Sequence, residues 1–149
     1  MNKTIMAKTL LTALSKFEQF LGAIDLSILN MAQQSYQHYT ATQKTMEDII
    51  DNIYKKTLLH NLRIKTQALL DTAPPKYGRV LILAYVHQLT TKKIAEIINK
   101  TERTVFRHLH DGLQWFTSHI DNIIGNYELT QALDQEAWLR NIYRRLHGE

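Results

Sequence analysis

Between Leu89 and His110 the chain gathers cations and short hydroxyls at spacings that suit one kind of chemistry. Lys92, Lys93, Lys100, Arg103 and Arg107 can pair with phosphates or with the acceptor edges of bases. Thr91, Thr101 and Thr104 offer hydroxyls, Glu102 an acceptor, and His108 a ring that donates or accepts. Nothing in the segment is arranged to make or break bonds. The chain has no Cys, which removes thiolate nucleophiles, disulfides and Cys-based zinc sites. His108 and His110 stand two apart and point different ways on a helix, and no two of the seven His fall four apart on one predicted helix. The acidic residues show no paired arrangement suited to acid–base work. The expectation is a recognition protein, not an enzyme, that needs neither cofactor nor metal.

Recognition by such residues requires two short helices and a tight turn. Thr90 or Thr91 can cap a helix at about Thr91–Asn99, because a hydroxyl accepts a bond from an orphan backbone donor. Ile94 and Ile98, four apart, mark its buried face, and Ala95 is small enough for a second helix to cross there. Asn99 tolerates the left-handed angles of a turn. Thr101 caps a second helix, whose Val105 and Leu109 again face inward. That leaves Glu102, Arg103, Thr104, Arg107 and His108 outward or sideways on its first two turns, the part of a helix-turn-helix that enters the major groove. Two readings of Arg107 stay open: a guanine contact, or an ion pair with Asp111 four residues along. Lys92 and Lys93 suit phosphates, or simply water.

The rest of the chain reads as helical. Only five Gly and two Pro interrupt 149 residues, and no stretch alternates as a strand would. A first helix at about Thr4–Gln34 carries Ala7, Leu10, Leu14, Phe17, Leu21, Ile24, Ile28 and Met31 on one seam, with Gly22 and Asp25 as weak points where it kinks or breaks. A second, at about Thr42–Leu70, carries Met46, Ile50, Tyr54, Leu58, Leu62 and Leu69. The short polar stretch Ser35–Thr40 between them makes an antiparallel hairpin. The first seam suits an intramolecular contact or a homodimer. Pro74–Pro75 ends the hairpin and divides the chain into a hairpin over 1–73 and a helix-turn-helix domain over 76–149. Beyond the prolines come helices at about Lys76–His87, Thr91–Asn99 and Glu102–Ile124, with a C-cap at Gly125-Asn126. A last helix at about Thr130–Leu146 turns Leu133, Ala137, Trp138, Ile142 and Leu146 inward and Arg140, Arg144 and Arg145 outward. Tyr85, Trp115, Phe116 and Trp138 are assigned to the core.

Charge is uneven along the chain. Residues 1–75 hold 8 basic and 6 acidic side chains, residues 76–110 hold 7 and 2, and residues 111–149 hold 3 and 6. The local +5 surrounds the helix-turn-helix, as a nucleic-acid contact requires, although a solvated basic face gives the same excess. With 44% hydrophobic residues the chain can bury an ordinary core. No apolar run approaches a membrane span, and the N-terminal stretch lacks the apolar run of a secretory signal, so a cytoplasmic location without membrane contact is expected.

The segment Ile94-Ala95-Glu96, with Thr101 and Thr104-Val105 after it and Arg79-Val80-Leu81-Ile82-Leu83-Ala84-Tyr85 before it, resembles region 4 of bacterial sigma factors. Thr104-Val105-Phe106-Arg107-His108-Leu109-His110 is also similar to the recognition helix of LuxR-type regulators. The resemblance covers about Lys76–Phe116. It departs at Gly112, where sigma factors have Ala, and at Asp111, where they have a basic residue. Residues 1–70 hold no aromatic-rich basic segment of the kind that melts promoter DNA. A short chain with a sigma-like second half resembles phage and prophage transcriptional regulators of the ArpU and RinA type. That resemblance implies double-stranded DNA as partner and RNA polymerase as a second. Two other classes are compatible with the sequence: a packaging or assembly part such as a terminase small subunit, and a helical adaptor that binds no DNA.

Overall fold

The computed structural model describes residues 2–37 and 43–148. They form eight α-helices: α1 Lys3–Ala13, α2 Phe17–Gln37, α3 Gln43–Thr72, α4 Pro75–Leu81, α5 Thr91–Ile98, α6 Glu102–His119, α7 Asn126–Gln135 and α8 Ala137–His147. A wide π turn at Ile82–Val86 prolongs α4, and a 3-10 turn at Ile120–Asn122 ends α6. No strand occurs among the described residues. The all-α architecture is as expected, with six expected helices resolved into eight. Of the connection expected at Ser35–Thr40, residues 38–40 lie outside the described residues, and α2 includes what precedes them.

Each extra helix has a local cause. The first expected helix breaks at Leu14–Lys16, not at Gly22 or Asp25, through which α2 runs unbroken. Hydroxyls compete for the backbone there. Thr9 donates to the Ile5 carbonyl (2.7 Å), Thr12 to that of Lys8 (2.8 Å) and Ser15 to that of Thr12 (3.0 Å), while the Lys16 N–H tightens onto Ala13 (2.8 Å). Asp25 instead pairs with Lys56 of α3, which ties the suspected weak point to its neighbour. The last expected helix breaks at Glu136, whose backbone is extended (φ −111°, ψ 102°). The Arg140 guanidinium donates to the freed carbonyls of Leu133 (3.2 Å) and Asp134 (3.0 Å). The break shifts the phase of α8: Leu139 and Ile142 are buried, whereas Ala137 and Leu146, expected inside, are exposed. Gly125 is no C-cap either. It is extended (φ −75°, ψ 151°) and precedes the first turn of α7, because the 3-10 turn has already closed α6.

Helices α2 and α3 are antiparallel. Glu18 pairs with Arg63 (3.0 Å) and Asp25 with Lys56, so the partner on α3 retreats as that on α2 advances. Such exposed pairs stabilise little; the packing comes from the apolar seam. Of the seam expected on the first helix, Ala7, Leu10, Phe17 and Leu21 are buried and Leu14, Ile24, Ile28 and Met31 half-buried. The seam of α3 departs from expectation at one end. Leu62 and Leu69 are buried and Leu58 half-buried, but Met46, Ile50 and Tyr54 are exposed, Tyr54 at 68%. The main core draws on α3 only from Leu58 onward. A single neighbouring helix can cover one face of α3 and leaves the others bare, so Leu26, Leu29 and Ile53 are exposed in the same region.

The main core joins both sides of Pro74–Pro75. Met6, Leu10 and Leu11 of α1 lie in one cluster with Leu59 and Leu62 of α3, Phe116 of α6 and Leu139 of α8. Phe17 meets the Trp138 indole edge-on at 5.7 Å, and Phe20 stacks on it at 4.2 Å. A smaller cluster, Val80, Ile94, Ala95 and Val105, lies between α4, α5 and α6. Leu109 touches both clusters, so α6 is a rod rooted in two cores. It crosses α4 at Gly112, where a Cβ would stand 3.1 Å from that of Tyr77 and 3.4 Å from Leu81 Cδ1.

Two stability measurements follow. Gly112→Val forces branched carbons into that crossing and is expected to cost about 1–3 kcal/mol in urea unfolding; an unchanged midpoint would show that α4 can yield. Glu136 has one oxygen bonded to the Trp138 indole N–H (3.1 Å) and the other buried without a partner among the described residues. Burial holds its carboxyl above the usual carboxylate range, against the opposing pull of that bond and of Lys55. The folded state therefore favours the proton. The benefit is present at low pH and is lost as pH rises through the raised folded value. Glu136→Gln is accordingly expected to raise the melting temperature at neutral pH and to leave it nearly unchanged below about pH 4.

Candidate nucleic-acid interface

The interface is built on α5 and α6. The Thr90 hydroxyl accepts the Lys93 N–H (3.3 Å) and starts α5. Asn99 ends it in the left-handed region (φ 57°, ψ 48°), and the Lys100 N–H closes the turn onto the Ala95 carbonyl (3.0 Å). Two residues later the Thr101 hydroxyl accepts the Thr104 N–H (3.2 Å) and starts α6. Both caps and the turn residue are those the sequence indicates. Ala95 at the crossing is almost wholly buried, and Ile94 and Val105 are fully so.

The π turn orients this unit against the rest. The His87 N–H bonds the Ile82 carbonyl (3.0 Å) and the Leu89 N–H that of Leu83 (3.0 Å), and Gln88 adopts a positive φ of 56°. A wider turn changes which way successive side chains point. Ile82 and Tyr85 join the main core, while Leu83, Ala84 and Leu89 join the small cluster under α5. The sequence reading has a uniform helix over Lys76–His87, because no residue type signals a π turn.

Of the ten candidate contact residues, Lys92, Lys93, Lys100, Thr101, Glu102, Arg103 and Arg107 are exposed. Thr91 is half-buried. Thr104 is half-buried with its hydroxyl 3.0 Å from that of Thr101. His108 is half-buried too, turned toward α4 with its ring edge-on to Tyr77 at 6.3 Å. Arg103 and Arg107 lie four apart on one exposed strip of α6. Among the described residues neither enters an ion pair, so the contact between Arg107 and Asp111 that the sequence allows is not made. Lys93 lies 3.8 Å from Glu96, an exposed and weak pair. Glu102 occupies the first turn of α6, where a carboxylate complements the helix dipole.

Sequence reasoning passed over two residues on that strip. Phe106, 59% exposed, stands between Arg103 and Arg107, and His110 follows one turn on. The signal was in the spacing: Val105, Gly112 and Phe116 mark the buried seam, and Phe106 lies about 100° off it. Two of the acids after residue 110 are tied to the first half of the chain: Asp121 pairs with Lys3 and Glu128 with Lys65 (2.8 Å). Among the described residues no group of acids and histidines could hold a metal ion, and no helix is long and apolar enough to cross a membrane.

Because one hydroxyl starts α6, Thr101→Ala is expected to cost about 1 kcal/mol of stability. Thr101→Asp should restore it, and chemical denaturation of the three chains measures both. Equal stability of the Ala chain and its parent would mean that the cap does not hold the helix start.

Residues 63–116, from the second half of α3 to the buried Phe116, match the family model described as Sigma-70, region 4. Neither a curated protein nor a solved structure gave a match. The match spans the end of α3, α4, the π turn, α5 and most of α6, so the helix-turn-helix of this chain is similar to sigma region 4 over that segment.

Proposed function

We propose that the chain is a sequence-specific DNA-binding transcriptional regulator that lays the first two turns of α6 in the major groove of duplex DNA. The observation that carries this reading is the bare cationic strip on a sigma region 4-like helix-turn-helix: Arg103 and Arg107 are exposed and unpaired among the described residues. Their forked guanidinium groups suit the O6 and N7 acceptors of guanine. Lys92, Lys93, Lys100 and the capping hydroxyl of Thr101 face phosphates, and Glu102 sits where it can accept from a cytosine amino group. Thr91, Thr104 and His108 support the interface from its inner edge.

The chain works in the cytoplasm in this reading, as an ArpU- or RinA-type regulator of phage or prophage genes and not as a complete sigma factor. The outward apolar side chains of α2 and α3 are the surface by which it meets RNA polymerase or a second protomer. Those same side chains favour a second reading, a packaging protein like a terminase small subunit, in which they build a ring. Light scattering separates the two: eight or more subunits would indicate packaging, a monomer or dimer regulation.

The test of DNA binding is a salt titration of affinity for a duplex selected from a random pool. Log K should fall linearly with log salt, by about 0.9 per phosphate contacted. An Arg103→Ala, Arg107→Ala double variant should lose at least tenfold in affinity, on the order of 1–3 kcal/mol for each guanine contact. Binding as tight as the parent's would overturn the assignment.

A further inference from the structure

Resting on the DNA-binding reading, we propose that Phe106 reads the C5-methyl group of a thymine, which makes it the apolar determinant of the target sequence.

Phe106 belongs to neither apolar cluster. Its helix is satisfied without it: Val105, Gly112 and Phe116 are buried, and Leu109 and Leu113 pack beside them. The ring nevertheless stands 59% exposed on the part of α6 nearest the turn. A single exposed ring says little by itself; its place on the outer strip of α6 and the side chains around it indicate its ligand. That company is polar and carries the charges of two arginines and a lysine. Arg103 precedes it by three residues, Arg107 follows it directly and His110 lies four residues on, all exposed and on one strip, with Lys100 at the turn; Glu102 is the one acid among them.

A protein partner would have to bring apolar surface up to these charges. Duplex DNA meets both requirements at once. Its phosphates pair with the cations, and the floor of its major groove carries one apolar group, the thymine methyl, which a Phe can cover. The exposed apolar residues of the hairpin differ in this respect. Leu26, Leu29, Met46, Ile50, Ile53 and Tyr54 form a broad group suited to another helix, whereas Phe106 is a single ring of a size to cover one methyl.

The experiment selects duplexes from a random pool with the full chain and then replaces each thymine of the selected site, singly, by deoxyuridine. That change removes only the methyl and keeps base pairing. At one or two central positions the parent is expected to lose about fourfold in affinity, the loss due to one uncovered methyl. Phe106→Ala should bind the thymine and uracil duplexes equally, and Phe106→Leu should recover part of the discrimination. Because the ring is exposed, both variants should keep the parent's helical circular dichroism. The proposal fails if no thymine of the site is sensitive to the replacement. It fails equally if Phe106→Ala keeps the parent's discrimination, or weakens thymine and uracil duplexes by the same factor while leaving their ratio intact. If the parent retains no duplex at low salt, the DNA-binding reading itself falls, an outcome distinct from the other three.

Discussion

A helix can offer side chains to a groove only when it is held from behind, and here the hold is the close crossing of α6 over α4. Gly112 permits it: with no Cβ at that position the backbone of α6 comes down onto Tyr77 and Leu81. Glycine within a helix costs about 1 kcal/mol relative to Ala. The cost is met by the packing it allows, since Leu81 and Phe116 on either side are completely buried. From this anchor α6 runs back to Val105 in the small cluster, and its first turns emerge with one face packed and the other bare. The orientation of Arg103 and Arg107 thus derives from a residue about one and a half to two and a half turns away from them.

Electrostatics follows the same division. Four of the eight basic side chains in residues 1–75 are engaged: Lys3 with Asp121, Lys56 with Asp25, Arg63 with Glu18 and Lys65 with Glu128. Among the described residues, the helix-turn-helix has one basic side chain with an acidic partner, Lys93, at 3.8 Å from Glu96 and largely exposed. Individual surface pairs contribute little to stability. Their consequence is where they leave charge unbalanced, which is on α5, the turn and the start of α6.

What could be read from the residues, and what could not, divides along physical lines. Both caps, the left-handed Asn99 and the small Ala95 were legible, because each is a local requirement met by very few residue types. The all-helical class was legible from the scarcity of Gly and Pro and the lack of strand-like alternation, and the antiparallel pairing of the first long helices from the short stretch between them. The break at Leu14–Lys16 was not, since it arises from hydroxyls competing for carbonyls in a stretch of otherwise sound helical pattern. The division at Glu136 depends on Arg140 reaching back six and seven residues to bare carbonyls, a contact no periodicity announces. The π turn at Ile82–Val86 lies in an unbroken apolar run, and its wider pitch is set by the two clusters that its side chains must serve. On the interface, Arg103 and Arg107 are exposed as helix phase dictates, while Thr104 and His108, read as outward or sideways, are half-buried beside Thr101 and Tyr77 respectively.

The position of α1 bears on how the chain reaches this state. It packs against α8, α6 and the π turn, and the Asn2 N–H donates to the Tyr143 hydroxyl (3.1 Å) across 141 residues of sequence. During synthesis the first helix emerges with Met6, Leu10 and Leu11 uncovered, and its seat does not exist until α8 has left the ribosome. Contacts so remote in sequence form late, after the loop entropy between them has been overcome. The helix-turn-helix, whose contacts are short-range, can order before α1 is seated.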